Sequence, residues 1–474
     1  MHDLYSLLDK HILYPAYYWK AKDPKLKHLK MLEKRQFWST NQLQSWQLER
    51  LQAMVTHAYQ TVPFYRELYR AAGIKPEDIR SLDDINLLPC VRKKDIQEQG
   101  DAFLSSLYDK STLVADASGG STGMPTHFYK DKEQYQRRAA DQVRHDRWSG
   151  WDLGDPYALI WGAQKDLKAI SSLKQRIVTQ YIHRVMPLDA FDLTPEKMSR
   201  FADVLEKEQP PMILGYANAL LAFAQYLSDF RPHHTIRPKG IVSSAEALTD
   251  KNKAFIQDVF KTKVLNRYGS REVGLIASEC QHQKGLHINA DNVFVEIGRF
   301  GEQVDEQGQV SDPEQMGAIQ SRIPRLCNTD ESGELIVTDF WNYGMPFIRY
   351  RMGDEGHKLP GFCDCGRKLP LLGQVSGRVS DFIIAMNGTR IHGEYFTHIF
   401  YDLADVKQFQ LVQEKVDQVD LKVVTNGERF AQEEFVIKEI KKVCGDEVNV
   451  NIVQVEHIPP TASGKYLFTI SKVA

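Results

Sequence analysis

Apolar positions along the first hundred residues recur at helical spacing. In WQLERLQAMVTHAYQTVPFY, Leu48, Leu51, Val55 and Ala58 fall on one face, and Pro63 marks the end. This predicts an amphipathic helix packed on a core. Gly73 and Pro76 then signal turns, and Ser81 is a predicted helix cap. From about residue 112 the pattern changes to short apolar runs separated by longer helical ones. YALIWG, PPMILGY, KGIVSS and KVLNRYG predict buried strands, with Leu220 to Leu227 in an intervening helix. That alternation predicts an α/β core with several parallel strands. Residues 301–333 are polar and rich in Gln and Glu, which predicts a surface excursion, before GELIVTDF and FIRYRMGD resume the strand pattern. The last hundred residues read as a separate small α+β module. KQFQLVQ, DQVDLKVVT and VNVNIVQVEHI alternate like strands, EEFVIKEIKKVC is helical, and the boundary is predicted near residues 376–381.

Length agrees with this division, since 474 residues exceed what one hydrophobic core holds. The expected domains are 1–376, with a helical region over 1–105, and 377–474. Sixty basic and sixty-two acidic residues leave a net charge of −2, which argues against a dedicated nucleic-acid surface. The N-terminus carries Asp3, Asp9 and Lys10 where an export signal needs an apolar core, and no stretch reads as a membrane span. Six cysteines in a chain of this length form no disulfide framework, so a soluble protein of the cytoplasm is expected.

The most informative segment is Ser118-Gly119-Gly120-Ser121-Thr122-Gly123-Met124-Pro125-Thr126. Its glycines free the backbone to turn tightly, so that N–H groups and hydroxyls can point at an anion; a plain surface linker has the same composition. It fits neither GxxxxGK[ST] nor GxGxxG, which weakens the case for a P-loop kinase or a Rossmann dehydrogenase. Downstream lie Asn266-Arg267-Tyr268-Gly269-Ser270-Arg271-Glu272, then Tyr350-Arg351-Met352-Gly353-Asp354, Gly377-Arg378, and Pro459-Pro460-Thr461-Ala462-Ser463-Gly464-Lys465. Each alone could be an ordinary turn or solvated charge. Together and in this order they resemble the adenylate-forming superfamily. Residues from about 45 onward are similar to its phenylacetate-CoA ligase, coenzyme F390 synthetase and CapK-type branch, while residues 1–44 hold no motif.

The resemblance implies a large α/β domain with a small mobile α+β domain behind it, and ATP-dependent activation of a carboxylic acid as its acyl-adenylate. It implies that the loop from Ser118 to Gly123 holds the β- and γ-phosphates, that Ser244-Ala245-Glu246 lies beside adenine, and that Tyr268 stacks on the base. Gly269, Ser270 and Arg271 continue that ATP site. Glu272 would coordinate Mg²⁺, and Asp354 would accept from the ribose hydroxyls near Arg378. Lys465 would be the catalytic lysine, bridging the attacking carboxylate and the α-phosphate. The acid pocket is expected around Trp161, Gly162, Tyr216, Asn218 and Ser243. Two positions depart from the pattern. Arg271 stands where relatives carry Ser or Thr, and Ser380 where the hinge commonly has Asp or Lys.

Cys280, His287, Cys363 and Cys365 resemble a structural zinc site of some family members, with His282 as a rival nitrogen ligand. The acceptor reading favours coenzyme A over an amine or sugar hydroxyl. An amine route would call on a base such as His392 or Glu394. A nucleotide-binding protein without turnover is the third reading, against which Lys465 and Glu272 argue. The oligomeric state stays open, a homodimer included.

Overall fold

The computed structural model describes residues 4–118, 126–161, 176–190, 193–246, 248–301, 319–378, 382–387, 390–400, 403, 405–425, 430–459 and 467–473. They divide into two compact units.

The first unit, residues 1–118, 126–352 and 356–375, opens with helices α1 (Leu4–Leu8), α2 (Tyr14–Lys20), α3 (Lys25–Arg35), α4 (Thr40–Thr61), α5 (Pro63–Ala71) and α6 (Lys93–Gln99). Ser39 and Gln42 close a capping box on α4, and Pro63 ends it by starting α5 at a position that needs no N–H. Ser81 is not a cap. Its N–H and hydroxyl donate to Asp84, because a carboxylate accepts more strongly than a hydroxyl and organises the turn itself. The hairpin β1 (Val114–Ser118) and β2 (Thr126–Lys130) follows, then α7 (Lys132–Arg147), which is capped by Asp131.

The apolar runs form β3 (Tyr157–Trp161), β4 (Val185–Asp189), β5 (Met212–Tyr216), β6 (Gly240–Ser244) and β7 (Val264–Ser270). These five are parallel and lie in the order β4-β3-β5-β6-β7. Near-continuous apolar sequence suits them, because helices α8 (Pro195–Glu208), α9 (Ala217–Phe230) and α10 (Asp250–Phe260) serve as crossovers between them. Beyond β7 the sheet continues antiparallel through β8 (Gly274–Glu279) and β9 (Leu286–Ile288).

A second sheet contains β10 (Val293–Arg299), β11 (Arg325–Leu326), β12 (Gly333–Asp339) and β13 (Tyr350–Gly356). The expected excursion over 301–333 is therefore shorter than its composition suggests, since Arg325 and Leu326 pair with β10; residues 302–318 lie outside the described residues. Arg349 is buried here in a bidentate pair with Glu296. Removing one partner of such a pair costs about 3–5 kcal/mol, because the other charge is left without compensation. The first sheet is completed by β14 (Lys358–Leu359) and β15 (Leu371–Leu372), with β15 against β9.

The second unit contains residues 353–355 and 376–474. It holds β16 (Ser376–Arg378), the hairpin β17 (Phe382–Ile384) and β18 (Arg390–His392), helix α11 (Gly393–Phe400), β19 (Val406–Lys415), β20 (Gln418–Thr425), α12 (Glu433–Cys444), β21 (Asn449–Gln454) and β22 (Thr469–Ser471). The order β21-β20-β19-β22 makes one mixed sheet. Val419, Leu421 and Val423 alternate inward to meet Val436 and Ile440 of α12. The alternation read from the sequence is the pleat of this sheet.

Candidate functional site

In an open parallel sheet, ligands bind outside the carboxyl ends of the strands, where the strand order reverses. Here the reversal falls between β3 and β5. Trp161 ends β3 and Tyr216 ends β5, with ring centroids 4.2 Å apart. Tyr216 lies opposite Ser244 in register, and Ser244 opposite Arg267. Ser243, Ser244, Ala245 and Glu246 therefore leave the sheet between the tyrosine segment and this aromatic pair. Ala245 has a positive φ of 68°, a bend that puts Glu246 at the start of α9, where its carboxylate accepts from the Asn218 N–H at 2.8 Å. Ser243 is fully buried, with no partner for its hydroxyl among the described residues.

The turn after β7 carries Tyr268 to Glu272. Gly269 is required there, because a Cβ would meet the Gly274 carbonyl at 2.5 Å. Arg138 of α7 clamps the turn from below, donating to the carbonyls of Arg271 at 2.7 Å and Ser270 at 3.2 Å. Gly274 has φ +88°, and a Cβ there would strike that guanidinium. The Arg271 side chain reaches Asp116 of β1 at 3.2 Å, and Lys130 of β2 meets the same carboxylate at 2.5 Å. Burial pushes Asp116 up, but Lys130 and Arg271 outweigh it and leave the carboxyl below its usual range. Burial, with Arg138 nearby, lowers Lys130 to about 8, so it is still charged at neutral pH. Two cations thus share one carboxylate here, with Asp116 in mid-strand opposite Phe128 and Lys130 at the far end of β2 opposite Val114.

Glu272 is buried in the same turn. Asp354 lies on β13 opposite Arg378 of β16, with a bulge beside it and Gly353 at φ +71°. Gly119, Gly120, Ser121, Thr122, Gly123, Gly162, Ser380 and Lys465 lie outside the described residues, as do the side chains of Ser118, Arg378, His392 and Glu394. Arg138, Asp116 and Lys130 were missed in the sequence. They sit in a polar helix and an ordinary hairpin, and no spacing links them to residue 271.

The structure also gathers Cys280, His287, Cys363 and Cys365, with their ligand atoms all within 4.8 Å of one another. Strand register explains this. β9 lies between β8, which ends just before Cys280, and β15, which follows Cys365, with His287 opposite Leu371. His282, in the turn between β8 and β9, is not part of the cluster. The sulfurs of Cys280 and Cys363 are 3.8 Å apart, and His287 Nε2 is 3.4 Å from both Cys280 and Cys365. Ligands at about 2.3 Å (S) and 2.05 Å (N) around a tetrahedral ion have edges of about 3.8 and 3.6 Å. Burial, with Arg367 beside it, lowers His287 to about 4, so it is a neutral donor; burial pushes the Cys280 thiol up to about 12. The donor set fits a closed zinc site.

Comparison with known proteins accords with these features. Residues 383–472 match the family described as the CapK C-terminal domain. Protein CapK of Staphylococcus aureus is 24% identical over 453 residues, covering 91% of this chain and 90% of that protein. The chain is similar to CapK and to the phenylacetate-CoA ligases over most of its length. One of the latter, from Pseudomonas putida, is 24% identical and covers 85% of the chain and 88% of its own length. Among solved structures, a 2-hydroxyisobutyryl-CoA ligase in complex with 2-HIB-AMP superposes with a TM-score of 0.68 at 19% identity, covering 93% of the chain and 92% of that protein. The chain thus shares the fold of this ligase.

Proposed function

We propose that this chain is an AMP-forming ligase that activates a small carboxylic acid with ATP and passes the acyl group to an acceptor, preferentially coenzyme A. The observation that carries the reading is the convergence of the Ser243–Glu246 and Tyr268–Glu272 segments with the Trp161–Tyr216 pair at the carboxyl edge of the parallel sheet. Residues 1–376 form the ATP- and acid-binding part, and 377–474 carry the catalytic lysine.

Tyr268 stacks on adenine, and Asp354 accepts from the ribose hydroxyls. The phosphates are held by the Ser118–Gly123 segment, and Arg271 adds a charge-assisted contact to them. Glu272 would hold Mg²⁺, which keeps several waters and needs only one or two protein carboxylates; bound there, it would neutralise phosphate charge. A carboxylate oxygen of the acid attacks the α-phosphorus, the bond to the β-phosphate oxygen breaks, and pyrophosphate leaves. Lys465 neutralises the charge building on both reacting groups. The acceptor then attacks the acyl carbon, and AMP departs with the former carboxylate oxygen. A thiol acceptor attacks as its thiolate, its proton having passed to solvent, and so needs no dedicated base. Cys280, His287, Cys363 and Cys365 would hold a structural zinc, tying β8, β9 and the segment before β15. No described helix is long and apolar enough to cross a membrane, and the six cysteines form no disulfide, in keeping with a cytoplasmic setting.

Screening acids one by one should reveal at least one that drives Mg²⁺-dependent exchange of labelled pyrophosphate into ATP. With that acid, CoA should stimulate AMP release and gain the acyl mass. Stimulation by an amine or amino sugar, with CoA inert, would replace the CoA reading with an amide ligase, which the CapK C-terminal match makes the second reading. Exchange with no acid at all would contradict adenylation.

Arg271→Ser restores the residue type of relatives and removes a guanidinium from the phosphate site. Charge-assisted hydrogen bonds contribute about 1.5–3 kcal/mol, so KM for ATP should rise about tenfold or more while kcat changes little. Unchanged ATP dependence in steady-state kinetics would mean that Arg271 serves only its pair with Asp116.

A further inference from the structure

The N-terminal helices carry a feature that the ligase reading does not use. Residues Leu4–Leu8, Asp9–Leu13 and Tyr14–Lys20 run as consecutive helical segments, the middle one a π-helix. At ~1.5 Å per residue they extend about 25 Å. Tyr14 and Tyr18, one turn apart, face inward, and both accept from the buried Lys25 of α3, at 2.7 and 3.2 Å. The opposite face holds Leu4, Leu7, Leu8, Ile12 and Trp19. All five are exposed, Leu4 at 84%, Ile12 at 57% and Trp19 at 82%. Met31 and Phe37, in and just beyond the neighbouring α3, are exposed as well. Monomeric soluble proteins rarely leave such a row of large apolar side chains in water.

The exposed charges of α2, α3 and the turn between them have one sign. Lys20, Lys22, Lys27, Lys30 and Lys34 are exposed. The carboxylates between residues 4 and 35 are otherwise engaged. Asp9 is buried, Asp23 accepts from the Lys25 N–H, and Glu33 pairs with Arg147. A chain of net charge −2 therefore presents exposed lysines in the same N-terminal helices as its apolar row.

We propose that this helical surface docks on an anionic lipid bilayer, lying in the headgroup plane with Leu4, Leu8, Ile12 and Trp19 inserted and the lysines on phosphates. Apolar burial and attraction to anionic headgroups add in such helices, and tryptophan favours the interface. A second copy of the chain fits less well, because a twofold contact through the same patch would bring lysines against lysines. The inference is independent of the acid and the acceptor.

The full chain is sedimented with vesicles of phosphatidylcholine alone, and with vesicles in which about a third of the lipid is phosphatidylglycerol. The wild type should pellet with the anionic vesicles and not the neutral ones, and should be released at about 0.5 M salt, where the Debye length falls to a few ångströms. Ile12→Asp with Trp19→Asp, both exposed, should weaken binding at least about tenfold, and so should Lys27→Glu with Lys30→Glu and Lys34→Glu, while pyrophosphate exchange in solution stays at the wild-type rate. Failure of the wild type to pellet with either vesicle, or equal pelleting of the Ile12/Trp19 variant, would overturn the proposal. So would a wild-type dimer that the same variant converts to monomer.

Discussion

Replacing Lys465 with alanine should lower adenylation by several orders of magnitude, at least about 10²-fold, and leave acyl transfer from pre-formed adenylate largely intact. The reason lies in what each half-reaction asks of the protein. In the first, an anionic carboxylate must approach an anionic α-phosphate, and negative charge accumulates between them. A positioned ammonium is the group that removes that repulsion. In the second, an acceptor attacks a neutral acyl carbon and AMP leaves. The residue belongs to the segment that matches the CapK C-terminal domain. The measurement supplies purified acyl-adenylate and acceptor to wild type and K465A, and compares product formation with pyrophosphate exchange in the same preparations. A variant as slow in transfer as in adenylation would remove Lys465 from the role given to it.

Purified without added metal, the protein should contain about one zinc per chain, and Cys365→Ala should lose nearly all of it. Three thiols and a neutral imidazole within 4.8 Å of one another supply the four donors of a tetrahedral ion. Binding the metal releases the thiol protons and turns the cluster into a clip between segments more than seventy residues apart in the chain. Its contribution is folding free energy, so exhaustive chelation should lower Tm by about 10 °C, several kcal/mol at about 2–4 °C per kcal/mol. Metal analysis and a thermal scan of the same sample decide it. Unchanged zinc content in C365A would rule out this ligand set.

The sequence made some of these features readable and hid others, for physical reasons. PPMILGY and KGIVSS are buried on both faces, and with YALIWG and KVLNRYG their apolar runs announced the parallel sheet directly. Val419, Leu421 and Val423 announced the pleat of the second unit by alternation. The Cys280 and Cys363-x-Cys365 pairs could be noticed because few residue types make a thiolate site. The resemblance had put His287 ahead of its rival His282, and the register of β9 between β8 and β15 supplies the geometric reason. Ser81 looked like a cap until Asp84, three residues on, took its hydroxyl as a donor. The Arg271–Asp116–Lys130 cluster joins residues up to 155 positions apart, and the Arg138 clamp acts on backbone carbonyls, so neither leaves a local pattern. The segment before residue 45 held no motif, yet its exposed face appears once Tyr14 and Tyr18 are known to point inward.

The most direct test of the central claim follows an oxygen atom. With an acid that supports exchange, labelled with ¹⁸O in its carboxylate, one turnover in the presence of the acceptor should deliver one ¹⁸O into the phosphate of AMP, read by mass spectrometry, with unlabelled pyrophosphate. Label found instead in inorganic phosphate, alongside ADP, would mean that the acid attacks the γ-phosphorus, and the adenylate mechanism would be wrong for this chain.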